Sequence, residues 1–268
     1  MQDPQSRPTK PIGAPLKFLQ PLQECRSLLA KYRSELANSA CLGNQQHEPP
    51  FVIVDRVFDF VDRSVIATDA LLQVGDSYAV FACTISRSAF ETAVRVLWGA
   101  RTEYGWQRLQ AYWVDEDNKW AKEAVKIPSL LAAHATAIRP AQEAVLQRIG
   151  PSGKRFDPAP GMRMLLRDIE KYNVEDALFP PDVNFAARVY TNVYRVLCRS
   201  AHGHISAIGP LPPGSNLPTV RSALVFAVLM TIQTANILAA VDPQEETRSV
   251  AMKLMRLLNY SNEAIDPP

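Results

Sequence analysis

SYAVFACTISRSAFETAVRVLWGARTE, residues 77–103, is the stretch that decides the fold. It is apolar over most of its helical circumference and long enough for about seven turns. A helix of that kind has no side suited to water, so it needs neighbours on several sides. It predicts a central helix in an all-α bundle. Gly99 and Gly105 mark where that helix ends or bends.

The flanking sequence is helical as well. Leu16 to Leu36 carries apolar residues at helical spacing, with Pro21 as an early interruption. Pro50 suits a first helical turn. Beyond it, Val54, Val57, Val61 and Val65 recur at steps of three and four. Phe51 to Val54 alone reads equally as a strand, but the alternation does not continue, which favours helix. Tyr104 to Val125 continues as helix. Pro128 to Ile149 is a further helix with Pro140 inside it. Gly150 to Pro160 reads as loop, and Met162 to Tyr172 as a short helix. Pro180-Pro181-Asp182 opens a helix whose body runs from Val183 to about His202. Ile208 to Pro218 is turn-rich. Val220 to Val241 and Glu245 to Leu258 close the chain. Strand and helix do not alternate anywhere, which excludes a Rossmann or barrel fold.

The 268 residues suffice for one sizeable core. Residues 1–15 are polar and proline-rich and lack the apolar run of a signal peptide, so they read as a disordered tail. Residues 16–268 read as one α-helical domain. With 47% hydrophobic and 21% charged residues, the chain as a whole is neither disordered, collagen-like nor a disulfide scaffold. A net charge of +2 is too mild to imply nucleic acid by itself. Cys25, Cys41, Cys83 and Cys198 are scattered, with no C-x-x-C pair. That pattern leads us to expect reduced thiols and a cytoplasmic protein. Ala223 to Val241 is long and apolar, but Thr231, Gln233, Thr234 and Asn236 crowd its second half. The expectation is a core helix rather than a membrane span.

The sequence holds no G-x-G-x-x-G, no P-loop, no H-E-x-x-H and no G-x-S-x-G. His202 and His204 are the only close pair of histidines and have no acidic neighbour. Neither a cofactor nor a metal is expected.

The informative chemistry lies between Tyr190 and His204. At about 100° per residue, Arg188, Asn192, Arg195, Arg199 and His202 fall in one narrow sector. Val183, Ala186, Tyr190, Val193, Leu197 and Ala201 fall opposite, toward the core. Three arginines without a carboxylate are an unusual solvated face, because like charges four residues apart repel. Two readings stand here, a plain polar face or a stripe that meets an anion. In residues 77–103, Arg87, Glu91 and Arg95 stack at i, i+4 and i+8. Glu91 is expected to pair with Arg87 and Arg95, or to reach Arg195 or Arg199 across the bundle and orient a catalytic arginine. Trp98, Trp106, Trp113 and Trp120 recur at near-heptad steps. They share one face if the helix is continuous, as a packed seam or a dimer interface.

S-R-S-A-F-E-x-A-x-x-x-x-W paired with Y-R-x-L-C-R-S-A-H resembles a widespread family of uncharacterised bacterial helical proteins. Their signatures are R-x-x-x-E and Y-R-x-L-S-x-x-x-H, and Cys198 stands here where serine is usual. The spacing from Arg195 to His202, or from Arg199 to His204, is also similar to that of the HEPN superfamily. That resemblance implies a HEPN-like core at about 77–241, with additional N-terminal and C-terminal helices. It also implies metal-independent RNA cleavage at a homodimer cleft, as in a toxin or phage-defence effector with a possible antitoxin partner. His202 or His204 would then move the proton, Arg195 would clamp the phosphate, Arg199 would assist and Glu91 would orient. The alternative is a non-enzymatic helical interaction or anion-binding module.

Overall fold

The computed structural model describes residues 16–38, 49–74, 78–124, 156–172, 184–201 and 217–239, with 140, 143, 144, 147, 153, 154, 249, 250 and 253 besides. Among the described residues the regular structure is entirely helical. The chain is an all-α helical bundle. Its helices are α1 (Leu16–Asn38), α2 (Pro49–Val74), α3 (Ala79–Arg101), α4 (Gly105–Ala124) and α5 (Met162–Tyr172). In α6, helical turns at Phe185–Arg188 and Arg195–Ala201 flank a π-helical segment, Val189–Tyr194. The last described helix is α7 (Leu217–Ala239). Phe51 to Val54, open to a strand reading by sequence, lies within α2.

Helix α3 is central, as its composition predicts. It packs against α2, α4, α5, α6 and α7. From Ala89 to Gly99 only Glu91, Thr92 and Arg95 escape full burial. Alanines 82, 89 and 93 are fully buried and leave room for a close neighbour. The most extensive neighbour is α7, which also packs on α1 and α2. One cluster of buried side chains joins α1, α2, α3, α5, α6 and α7, with Leu109 from α4.

The apolar α7 is long enough to cross a membrane, but 89% of its most hydrophobic window is buried inside the bundle. The two threonines of its polar second half are accommodated locally. Thr231 and Thr234 donate to the carbonyls of Ala227 and Met230, each at 2.7 Å. The turn four residues back thus supplies the acceptor that a buried hydroxyl needs.

The corner between α3 and α4 explains the two glycines. Thr102 N–H donates to Trp98 O at 3.0 Å and closes α3. Tyr104 then takes a left-handed φ of 54°, and Gly105 N–H returns to Thr102 O at 2.8 Å. A Cβ on Gly105 would lie only 2.8 Å from the Gly99 Cα, so the helices meet through bare backbone. The break also corrects the expected tryptophan seam. Trp98 is fully buried on α3, whereas Trp106 and Trp113 are partly buried on α4. The Trp120 side chain lies outside the described residues.

The loop expected over 150–160 has no regular structure in its described part, 156–160. It is pinned to α4. Ala159 N–H donates to Arg108 O, and Arg108 Nε donates to Asp157 O, each at 3.2 Å. This leads the chain into α5, whose bounds match the sequence expectation. The expected 128–149 and 245–258 helices and the 1–15 tail lie largely or wholly outside the described residues. Near the C-terminus, Lys253 pairs with Glu24 of α1 at 2.9 Å.

Candidate functional site

Helix α5 reads MRMLLRDIEKY. Met162, Leu165, Leu166 and Ile169 are buried, which leaves Arg163 and Arg167 on the outer side, one turn apart and exposed. Two polar bonds hold α5 in place. Asp168 accepts the indole N–H of fully buried Trp98 at 3.1 Å and pairs with Lys171 at 3.5 Å. Glu170 accepts the backbone N–H of Ala186 in the first turn of α6 at 3.2 Å. That bond satisfies one of the amides left open at a helix start.

Between α5 and α6 runs a groove of about 540 Å³. Arg163 and Arg167 line one wall, and Tyr190, Asn192, Arg195 and Arg199 line the other. All four arginines are exposed, and among the described residues no carboxylate lines the groove. Among the described residues none of the four has an acidic partner. Four delocalised cations held side by side repel one another, and that repulsion is relieved by a bound anion.

The sequence-predicted residues fall in different places. Arg195, Arg199 and Asn192 lie in the groove as the stripe predicts. Arg188 does not line it, and Tyr190, which packs against the core as expected, lines it as well. The π-helical segment is the cause. A π turn takes in more residues than an α turn, so residues beyond it are rotated relative to those before it. The 100° rule therefore fails across Val189–Tyr194. His202 and His204 lie outside the described residues. Arg163 and Arg167 were not anticipated. Their sequence signal is R-x-x-x-R on the outward side of a short amphipathic helix, with no acid between them on that side.

Glu91 is not in the groove. It accepts a hydrogen bond from Arg87 Nε at 2.8 Å, with both side chains about one-fifth exposed. Arg95, the expected third member of the stack, instead lies over the Tyr112 ring at 4.1 Å. The Arg87–Glu91 pair meets a different side of α6. The Arg87 guanidinium is 5.8 Å from the centre of the Tyr194 ring. The Tyr194 hydroxyl hydrogen-bonds Cys198. Burial, then the Glu91 charge and the Cys198 bond, holds the Tyr194 phenol well above its ordinary range. Burial of Arg87 opposes its charge, but Glu91 outweighs it and keeps the guanidinium above its usual value. Helix α6 thus has two polar sides. Tyr194 and Cys198 meet α3, and Arg195 and Arg199 meet the groove.

Among the described residues no group of three His, Cys, Asp or Glu could hold a metal ion. Compared with family models, with curated proteins and with solved structures, the chain matches none.

Proposed function

We propose that the α5–α6 groove binds the phosphates of RNA, and that His202 makes the protein a metal-independent endoribonuclease of HEPN-like type. One observation carries this reading. Arg163, Arg167, Arg195 and Arg199 converge from two helices on one groove that holds no carboxylate among the described residues. Guanidinium groups grip phosphate oxygens in pairs and stabilise the charge that grows on phosphorus oxygens as the ester breaks. His202 follows directly on Ala201, the last described residue of α6. An imidazole titrates near neutrality. It takes the proton from the ribose 2′-hydroxyl as that oxygen bonds to phosphorus. It then gives a proton to the 5′-oxygen as the P–O5′ bond breaks, leaving a cyclic phosphate. A second copy across a two-fold axis would double these groups.

The test is RNA cleavage in EDTA by wild type, His202→Ala, Arg195→Ala and Arg163→Ala. Cleavage that survives chelation and is lost in the histidine and arginine variants, with each still folded, supports the nuclease. Equal cleavage by all four proteins sinks it. The second reading, a binding module without catalysis, is favoured by the engagement of Glu91 with Arg87 rather than with a groove arginine. RNA that binds in an arginine-dependent way but stays intact supports that reading instead.

A further inference from the structure

Four guanidinium groups alone would suit any polyanion, but the groove also contains an aromatic ring. Tyr190 is half-buried and lines the groove among the arginines. Behind it stands Tyr194, with ring centres 5.5 Å apart and planes inclined by 31°. Tyr194 is itself braced by Phe90 at 6.5 Å and by the Arg87 guanidinium. The Tyr190 ring is therefore held in place by packing before any ligand arrives, which limits the entropy lost on binding. The π-helical segment is what puts it there. A regular helix would turn Tyr190 away from Arg195 and Arg199.

Charge and ring together match the parts of a nucleotide. Arg163 and Arg167 lie one turn apart on one wall, and Arg195 and Arg199 one turn apart on the other. Each pair is separated by roughly 6 Å at Cβ, comparable to the step between neighbouring phosphates on an extended strand. A volume of about 540 Å³ falls in the range of small-ligand sites, enough for one nucleotide unit and not for a duplex. In a duplex the base faces are covered by their neighbours, and an A-form major groove does not admit side chains. A flat ring in a basic groove finds an open base face on a single strand.

We infer that Tyr190 is a nucleobase platform, and that the groove accepts single-stranded RNA in preference to duplex RNA or to phosphate chains without bases. The inference rests on the phosphate-binding reading above and adds a specificity-determining residue to it.

The experiment measures binding by fluorescence anisotropy at fixed salt. The probes are a mixed-sequence 2′-O-methyl RNA strand, which cannot be cut through its 2′-oxygen, the duplex of that strand, and inorganic polyphosphate as competitor. Wild type is compared with Tyr190→Ala, Tyr190→Phe and Arg195→Ala. The expected result is about a tenfold loss of single-strand affinity in Tyr190→Ala, the value of one stacked base. Tyr190→Phe keeps wild-type affinity because the ring face is retained. Polyphosphate competes equally with wild type and Tyr190→Ala, and Arg195→Ala weakens every probe. If Tyr190→Ala weakens polyphosphate as much as RNA, the ring only supports the fold of the groove and the platform is overturned. Equal affinity for strand and duplex overturns it too. If wild type binds none of the probes, the phosphate reading falls and takes the platform with it.

Discussion

Glu170 on α5 accepts the backbone N–H of Ala186 on α6 at 3.2 Å, and this bond joins the two arginine-bearing walls of the groove. The acceptor is a carboxylate at a helix start, where the open amides and the helix dipole both favour negative charge. Glu170→Ala is expected to cost about 1 kcal/mol, and Glu170→Gln less, since the amide oxygen still accepts. Urea denaturation gives the stabilities. RNA affinity at fixed salt shows the consequence for the groove, which should weaken in Glu170→Ala even where the protein remains folded. Unchanged stability and affinity in that variant would show that the bond does not set the spacing of the walls.

Tyr194 supplies a pH dependence. Its hydroxyl is held above the ordinary phenol value by burial first, then by the Glu91 charge and the bond with Cys198. An unfolded chain releases this proton near pH ~10, whereas the fold retains it. Above that pH the unfolded state binds fewer protons, so stability falls as the pH rises. The stabilisation is fully present below about pH 10 and is lost as the pH climbs toward the folded value. Melting temperatures of wild type are expected to drop more steeply than those of Tyr194→Phe across that range. Glu91→Gln removes the second cause and brings the Tyr194 titration down. Parallel melting profiles for wild type and Tyr194→Phe would contradict this account.

The bundle is legible in residues 77–103 because a helix apolar on most sides leaves few architectures. The bounds of α5 are legible because its apolar residues recur at a strict helical period. The groove is only half legible. Arg195 and Arg199 announce themselves as unpaired cations on a polar stripe. Arg163 and Arg167 reach the same groove through tertiary packing, from a helix more than twenty residues earlier in the sequence, and no local pattern records that meeting. The exchange of Arg188 for Tyr190 on the groove wall has a different origin. A π-helical segment is set by how the helix packs, and a fixed angle per residue carries no sign of it. The expected Arg87–Glu91–Arg95 stack forms only in its Arg87–Glu91 half, for a third reason. Spacing offers Arg95 two partners, and the structure chooses the Tyr112 ring on the neighbouring helix.

The α3–α4 corner tolerates no side chain at one of its two glycines. A Cβ on Gly105 would press against the Gly99 carbonyl oxygen and lie 2.8 Å from the Gly99 Cα, and backbone atoms cannot swing aside. A Cβ on Gly99 would meet mainly the end of the Leu109 side chain, which can rotate. Gly105→Ala is therefore expected to be the more damaging change, at about 2 kcal/mol or more. The order is read from urea midpoints of the two variants. A smaller loss for Gly105→Ala than for Gly99→Ala would show that the helices separate easily at this corner.

Asn236 offers the opposite test, a change that should improve the protein. It is 5% exposed on α7, and among the described residues neither its side-chain oxygen nor its nitrogen has a hydrogen-bond partner. The threonines one turn earlier escape this cost by bonding to their own helix. An amide lacks that option, because its two polar ends want partners in different directions. Leaving such a group buried without a partner costs about 1–3 kcal/mol, whereas an apolar side chain of similar shape pays no such penalty. Asn236→Leu is accordingly expected to raise the melting temperature. Asn236→Ala should gain less, because it removes the polar penalty but opens a cavity in the core. Scanning calorimetry of the two variants measures both shifts. A lower melting temperature in Asn236→Leu would mean that the amide is satisfied in solution, with an ordered water as the first candidate partner.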